Sequence, residues 1–236
     1  MSQEKQTSQE DYYKQTAQAY DSMHLAGNDE EHDFALSWLA GIVDYYSVQT
    51  MLDVGSGTGR AIRSLNIKKP DLAIIGIEPV DEMRRIGHKN GIPKNLLING
   101  DATCLEFANN EFDMCCAFGT LHHIKNPTKA IEEMLRVSKI GIFISDSNNF
   151  GQGNSFVRPI KHALNRLSLW KAFDFFATAG KGYKYSKEDG VFYSYSVFND
   201  FKLIRKNCSS IHLMNTKNAG KNLYKTASHI ALLGLK

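Results

Sequence analysis

The chain has 236 residues, 42% hydrophobic and 22% charged, with a net charge of +3 and a mean hydropathy of -0.34, ordinary figures for a globular protein that predict a single domain. No run approaches the roughly 18 consecutive apolar residues of a membrane span. The opening MSQEKQTSQED is polar and acidic where a secretory signal is basic and then apolar, so neither a spanning nor an exported protein is expected, and the localisation read from this is cytoplasmic. Cys104, Cys115, Cys116 and Cys208 form no C-x-x-C pair. No disulfide framework, zinc site or other metal site is expected, and the four read as buried thiols in a reducing compartment.

Charge is unevenly spread. Residues 1–33 carry eight acids and two lysines, and residues 34–150 are nearly balanced, whereas residues 151–236 carry fourteen basic groups against four acids. That last third reads either as an anion-attracting face or as a solvated lysine-rich surface.

In chain order, Tyr12, Tyr13, Ala17 and Tyr20, and then Phe34, Ala35, Trp38, Leu39, Ile42 and Val43, recur at helical spacing and predict two N-terminal helices within 9–47. From residue 48 to 147 short apolar runs alternate with helical stretches: TMLDVG, LAIIGIE, LLIN, FDMCCAF and KIGIFISD, with helices predicted at Arg60–Asn66, Asp81–Lys89 and Pro127–Val137. Near-continuous apolar strands alternating with helices predict a doubly wound, mostly parallel α/β sheet covered on both faces. Residues 148–195 break the rhythm. They are too long for an ordinary connection and read as a cap inserted after the fifth strand. Within it an amphipathic helix is expected through Phe156, Ile160, Ala163, Leu164 and Leu167, another over Leu169–Thr178, and a hairpin with its turn at Asp189-Gly190. Residues 196–236 close with a helix capped by Ser196 and two last strands, IHLMN and HIALLGL.

The sharpest motif is Leu52-Asp53-Val54-Gly55-Ser56-Gly57-Thr58-Gly59, following a predicted strand and opening a predicted helix. A dinucleotide fingerprint needs glycine where Arg60 stands, and a phosphate loop needs Gly-Lys-Ser/Thr where the chain has Gly59-Arg60-Ala61. Both nucleotide readings fail. What remains is G-x-G-x-G with an acid two residues before it, an arrangement that repels pyrophosphate and suits a ligand bearing an amine and a sulfonium. Glu78, nineteen residues past Gly59 at a strand end, is placed to accept from vicinal ribose hydroxyls, and Asp101 from an exocyclic amine.

Over residues 48–147 the sequence resembles the class I methyltransferases that use S-adenosylmethionine: LDVGSGTGR is similar to their first motif, IIGIEP, NGDA and FDMCCAFGTLHHI to the segments that follow. The resemblance implies S-adenosylmethionine as cofactor. It implies a binding set of Asp53, Gly55, Ser56, Gly57, Thr58, Gly59, Glu78, Pro79, Met83, Asp101, Ala102, Phe118 and Gly119. The usual Pro-Gly-Gly before the fifth strand is replaced by Lys139-Ile140-Gly141.

The acceptor belongs at the carboxyl edge of the sheet, where His122, His123 and Asp146 fall. A histidine is the natural base at neutral pH and a carboxylate can fix its tautomer. The histidine pair also resembles that of sugar O-methyltransferases, which implies His122 or His123 as base with Asp146 as partner. Tyr13, Tyr20, Arg158, Tyr183, Tyr193 and Tyr195 are expected to line a substrate site for a small anionic or glycan-type acceptor. A quinone or lipid-like acceptor, and a non-catalytic nucleoside-binding module, are the alternatives. Nucleic acid is not expected as a partner, since the chain lacks [DN]-P-P-[FY] after the fourth strand and any Pro-Cys. The oligomeric state is left open.

Overall fold

The computed structural model describes residues 12, 30–186, 189–217 and 220–236. In chain order its elements are α1 (Glu30–Tyr45), β1 (Thr50–Val54), α2 (Arg60–Lys68), β2 (Ala73–Ile77), α3 (Asp81–Lys89), β3 (Leu97–Ile98), β4 (Phe112–Phe118), α4 (Pro127–Val137), β5 (Ser138–Ser147), α5 (Val157–Arg166), α6 (Trp170–Ala177), β6 (Lys184–Ser186), β7 (Gly190–Phe192), α7 (Phe201–Asn207), β8 (Ser210–Asn215) and β9 (His229–Leu235). One-turn 3-10 helices lie at Leu121–His123, Asn149–Gly151 and Val197–Asp200.

Seven strands form one sheet in the order β3-β2-β1-β4-β5-β9-β8. The pairs from β3 to β5 are parallel, and β9 runs antiparallel to both β5 and β8. Alternation along the strands sorts side chains to two faces. Leu52, Cys115, Ile142, Ile144 and Leu232 meet α4 residues such as Ala130, Ile131 and Met134. Met51, Met114, Cys116, Phe143 and Leu233 meet Ala35, Leu36 and Leu39 of α1 and Ile62 and Leu65 of α2. Burial on both faces is why β4 and β5 read as nearly unbroken apolar text. The strand order reverses between β1 and β4, which leaves a crevice at their carboxyl ends.

Pro127 stands at the first position of α4, with Asn126 accepting from Lys129 N, the preferred chemistry of a helix start. Ser196 caps as expected by accepting from Phe198 N, though the first turn is 3-10 before α7 begins. Only Tyr12 of the first expected N-terminal helix is described, and the second is α1. Two expectations are corrected. Cys104 is exposed and Cys208 half-buried, so only Cys115 and Cys116 are core thiols. The amphipathic cap helix forms, but α5 buries none of its residues. No helix among the described residues is long and apolar enough to cross a membrane.

The cap is rooted by Asn148, which is fully buried. Its Nδ2 donates to the carbonyls of Leu223, Tyr224 and Ala227 at 2.8–3.1 Å, and its Oδ1 accepts from Ser196 Oγ at 2.8 Å. One side chain thus joins the end of β5, the start of the last helix and the loop before β9. Asn148→Ala orphans several buried groups at once and is expected to lower stability by about 2–4 kcal/mol. A urea titration should show a lower midpoint at unchanged slope, and an unchanged midpoint would contradict this.

Candidate active site

The glycine loop turns between β1 and α2 with Gly55 at φ +71° and Gly59 at φ +80°, conformations that side chains with a Cβ rarely adopt. At Gly55 a Cβ would also overlap the Thr120 side chain. The backbone N–H groups of Gly55 and Ser56 both donate to Ile77 O, at 3.0 and 2.9 Å, which pins the loop to the end of β2. There Glu78 accepts from Gly57 N at 3.0 Å through Oε2 and from Val80 N at 2.9 Å through Oε1. Asp53 is 2% exposed and its Oδ2 is buried with no hydrogen-bond partner. Burial pushes the Asp53 carboxyl up to about 6 and that of Glu78 up to about 7.

These groups line a cavity of about 320 Å³, within the range of cofactor sites. Twelve of the thirteen residues expected at the cofactor lie on its wall. Gly59 is not on it: it forms the cap position of α2, its N–H donating to Ser56 O at 2.8 Å. Asp101 is on the wall, but its Oδ1 is engaged by Thr103 N and Thr103 Oγ1, both at 2.8 Å. The cavity fits S-adenosylmethionine on its own chemistry. The unpartnered Asp53 Oδ2 calls for a donor, which a methionine amine would supply, and Glu78 keeps lone pairs that would accept from hydroxyls beyond its two backbone bonds.

A second cavity of about 680 Å³ shares Arg60, Phe118, Gly119 and His123 with the first, so the two meet where β4 ends. The 3-10 turn Leu121–His123 presents both histidines there. Asp146, fully buried at the end of β5, accepts from Leu121 N at 2.8 Å through Oδ2 and lies 2.6 Å from His122 Nδ1 through Oδ1. His122 Nε2 faces Asp189 at 3.3 Å. Burial alone would lower the His122 pKa, but Asp146 and Asp189 override it and push it up to about 10. The two carboxylates therefore favour the protonated form of His122. His123 Nδ1 donates to Val191 O at 2.8 Å, and its Nε2 lies 3.3 Å from Asp189. Burial and the charge of His122 hold its pKa below the ordinary value, so His123 is the neutral member, with Nε2 as its basic nitrogen.

Across the cavity stand His32 and His229, edge to face at 4.8 Å. Both are kept neutral by burial, His229 with a pKa of about 4. No sequence signal pointed to them, to Glu31, to Asn149 or to Lys217. Asp189 was legible only as a turn residue, and the β6–β7 hairpin, with Ser186 opposite Gly190, carries it to the histidines.

Of the residues expected to line the acceptor site, Tyr193 and Tyr195 do so. Tyr195 is nevertheless a core side chain, 2% exposed, with its hydroxyl held protonated by burial. Tyr183 packs edge-on to Tyr193 at 6.3 Å and stays off the wall. Arg158 borders a separate cavity beside Gly151 and Gly220. Tyr13 and Tyr20 lie outside the described residues. Tyr12, their neighbour, is buried and meets the Tyr185 ring at 6.1 Å.

Comparison with known proteins agrees with the fold. Residues 52–144 match a family described as a methyltransferase domain. A demethylmenaquinone methyltransferase of Renibacterium salmoninarum is 38% identical over 39% of this chain and 38% of that protein. One from Roseiflexus is 30% identical over 52% of this chain and 48% of that protein. The chain thus spans less than half the length of either relative. A solved S-adenosylmethionine-dependent methyltransferase from Thermotoga maritima superposes with a TM-score of 0.58 over 95% of this chain and 98% of its own, at 17% identity, which speaks for the fold. Residues 52–144 are thus similar to a methyltransferase domain, and the described chain shares the fold of a solved S-adenosylmethionine-dependent methyltransferase.

Proposed function

We propose that the protein methylates a ring carbon or ring hydroxyl of a quinol or similar lipid-like acceptor held in the second cavity. The observation that carries this is the histidine pair where the two cavities meet: His122 held between Asp146 and Asp189, and beside it His123, which lines both cavities. A ring hydroxyl becomes a strong nucleophile, at oxygen or at the adjacent carbon, once its proton is removed. His123 Nε2 takes that proton. When the carbon is methylated, that proton is returned to the ring oxygen and the ring C–H proton is taken in its place, which restores the aromatic ring. Asp189, within 3.3 Å of both Nε2 atoms, offsets the charge arriving on His123. S-adenosylmethionine, when bound, supplies an activated methyl that leaves its sulfur as the acceptor bonds to it. His123 lines both cavities, so the base stands where acceptor and cofactor are in reach of one another.

The names of the relatives support a quinone-type acceptor, although the stretches aligned with them leave much of this chain uncompared. The cations of the cavity support it independently. Lys161 Nζ donates to Asn149 O at 2.8 Å and Asn149 Oδ1 at 3.0 Å, Lys217 pairs with Glu31 at 2.7 Å, and Lys184 faces Asp174 at 3.7 Å. Three of the cations lining the cavity are thus committed within the protein, which counts against a strongly anionic acceptor. The glycan-type acceptor stands as the second reading because the wall is rich in polar groups, among them Ser147, Asn149, Ser194 and Ser228.

S-adenosylhomocysteine is expected to raise the melting temperature and NAD to leave it unchanged. Its affinity should fall as pH drops through about 7 and then about 6, because the raised carboxyls of Glu78 and Asp53 take up protons that compete with the ligand's donors. The loss should approach about tenfold per pH unit for each group. Asp53→Asn should weaken binding roughly 10–100-fold, the value of a lost charge-assisted hydrogen bond. Calorimetry that finds affinity flat from pH 5 to 8 would count against the carboxylates.

His123→Ala should lower turnover on a demethylated naphthoquinol by about 10²–10⁴-fold with cofactor affinity little changed. Because its pKa is held down, activity should persist further into the acid range than an ordinary histidine base allows. His122→Gln should also lower turnover, and it should flatten the stability profile between about pH 6.5 and 10, since the wild type holds its imidazolium stabilisation below the unfolded value and loses it as pH rises through the folded one. Turnover on a nucleotide sugar with none on the naphthoquinol would transfer the assignment to the second reading.

A further inference from the structure

The cap helices are amphipathic, and they are mounted with the apolar side outward. On α5 the half-buried residues are polar apart from Leu164. Lys161 bonds Asn149, His162 Nε2 lies 3.4 Å from Lys225 O, and Asn165 Nδ2 donates to Tyr224 Oη at 2.7 Å. On the opposite side Phe156, Ile160, Ala163 and Leu167 succeed one another at helical spacing, and three of them are 81%, 59% and 66% exposed. The next helix buries the Trp170 ring against Phe150 at its start but turns its other large apolar residues outward. In α6 Asp174 turns inward to Lys184 while Phe176 is 79% exposed. Eight of the twelve large exposed apolar residues among those described fall between Phe156 and Phe176. An apolar patch of this kind marks an interaction site rather than a random surface.

We infer that this outward face of α5 and α6 docks on the headgroup layer of a bilayer containing anionic lipid, seating its phenylalanines and aliphatic side chains at the acyl boundary. Charge selects this occupant. Residues 151–186 carry six Lys and Arg against Asp174 alone, and Arg166, Lys171 and Lys181 are exposed around the apolar stripe. A second copy of the chain would oppose one basic face to another, whereas anionic headgroups complement it. Apolar side chains with flanking Lys and Arg on a short helix are the composition of helices that lie in the plane of an interface. Lys161 and Lys184, which belong to the cap, also line the acceptor cavity, so an acceptor leaving the lipid enters the protein beside the docked face. In this the inference rests on the lipid-like acceptor proposed above, while the surface itself does not.

The test is co-sedimentation of the full chain with vesicles of phosphatidylcholine alone and of phosphatidylcholine mixed with phosphatidylglycerol. The mixed vesicles should bind it about tenfold or more tightly, with the difference eroded by salt. The triple variant Phe156→Ser, Ile160→Ser, Phe176→Ser and the double variant Arg166→Glu, Lys171→Glu should each lose roughly tenfold in partitioning. None of these five residues lines either cavity, so the thermal shift with S-adenosylhomocysteine should persist and certify that both variants fold. Absence of binding to the mixed vesicles at low salt would overturn the inference. So would sedimentation showing a wild-type dimer that the triple variant converts to monomer, which would give the face to a second copy. Methylation of a soluble naphthoquinol by a protein that ignores vesicles would remove the docking surface and leave the proposed reaction. Vesicle binding without such methylation would do the reverse.

Discussion

Asp146 ends the central strand β5 with no exposure to solvent, and the acceptor half of the molecule is arranged around its charge. A carboxylate so buried is tolerable only if donors surround it. Here Leu121 N, Ser147 N and His122 Nδ1 do so at 2.6–2.8 Å, and the His122 cation holds the Asp146 carboxyl below the usual range although burial alone would raise it. The consequence travels outward. His122 faces Asp189, and the hairpin bearing Asp189 is further registered by Tyr193 N donating to His122 O at 2.8 Å and by the Val191 carbonyl on His123. The cap is thus positioned by the same charge that orders the histidines.

The cofactor half uses the opposite arrangement. Asp53 and Glu78 are buried acids with too few donors around them, and both carboxyls are pushed up. Their environment is incomplete in the way a binding site is, with desolvation already in place and the compensating donors left to the ligand. Gly119, at φ +61° between the two cavities, separates a site that awaits positive charge from one that has internal charge balance.

The sequence was most legible where local chemistry and burial agree. The bounds of β4, α3 and α4 were readable because an unbroken apolar run, an acidic first turn and Pro127 after Asn126 each carry a one-residue signal. The glycine loop and its acids were readable because spacing alone separates the ligand classes. Strand β3 shrank from four residues to two, since only Leu97 and Ile98 find partners on β2. What stayed hidden depends on how distant segments meet. Asp189 lies in an insertion whose register on the core is a tertiary fact, and His32 and His229 are single histidines in segments that otherwise read as core helix and core strand. Arg158 and Tyr183 were misplaced for a related reason: composition locates the cap but not the direction in which its side chains turn.

That direction is the least conventional feature of the fold. Periodicity in α5 promises a helix that buries Phe156, Ile160 and Leu167, and the core would gain several kilocalories per mole from them, at about 1.5–3 kcal/mol per fully buried side chain. The chain forgoes this and half-buries Lys161, His162 and Asn165 instead, each matched to an acceptor on the body. Matched polar contacts hold a helix in one orientation, because a rotated helix would leave Asn149 and Tyr224 without those partners. Helices α5 and α6 are thus held by polar contacts and by the buried Trp170, with most of their large apolar side chains turned out. The cap gives Lys161 and Lys184 to the second cavity, and its outer side is the face proposed to dock on lipid.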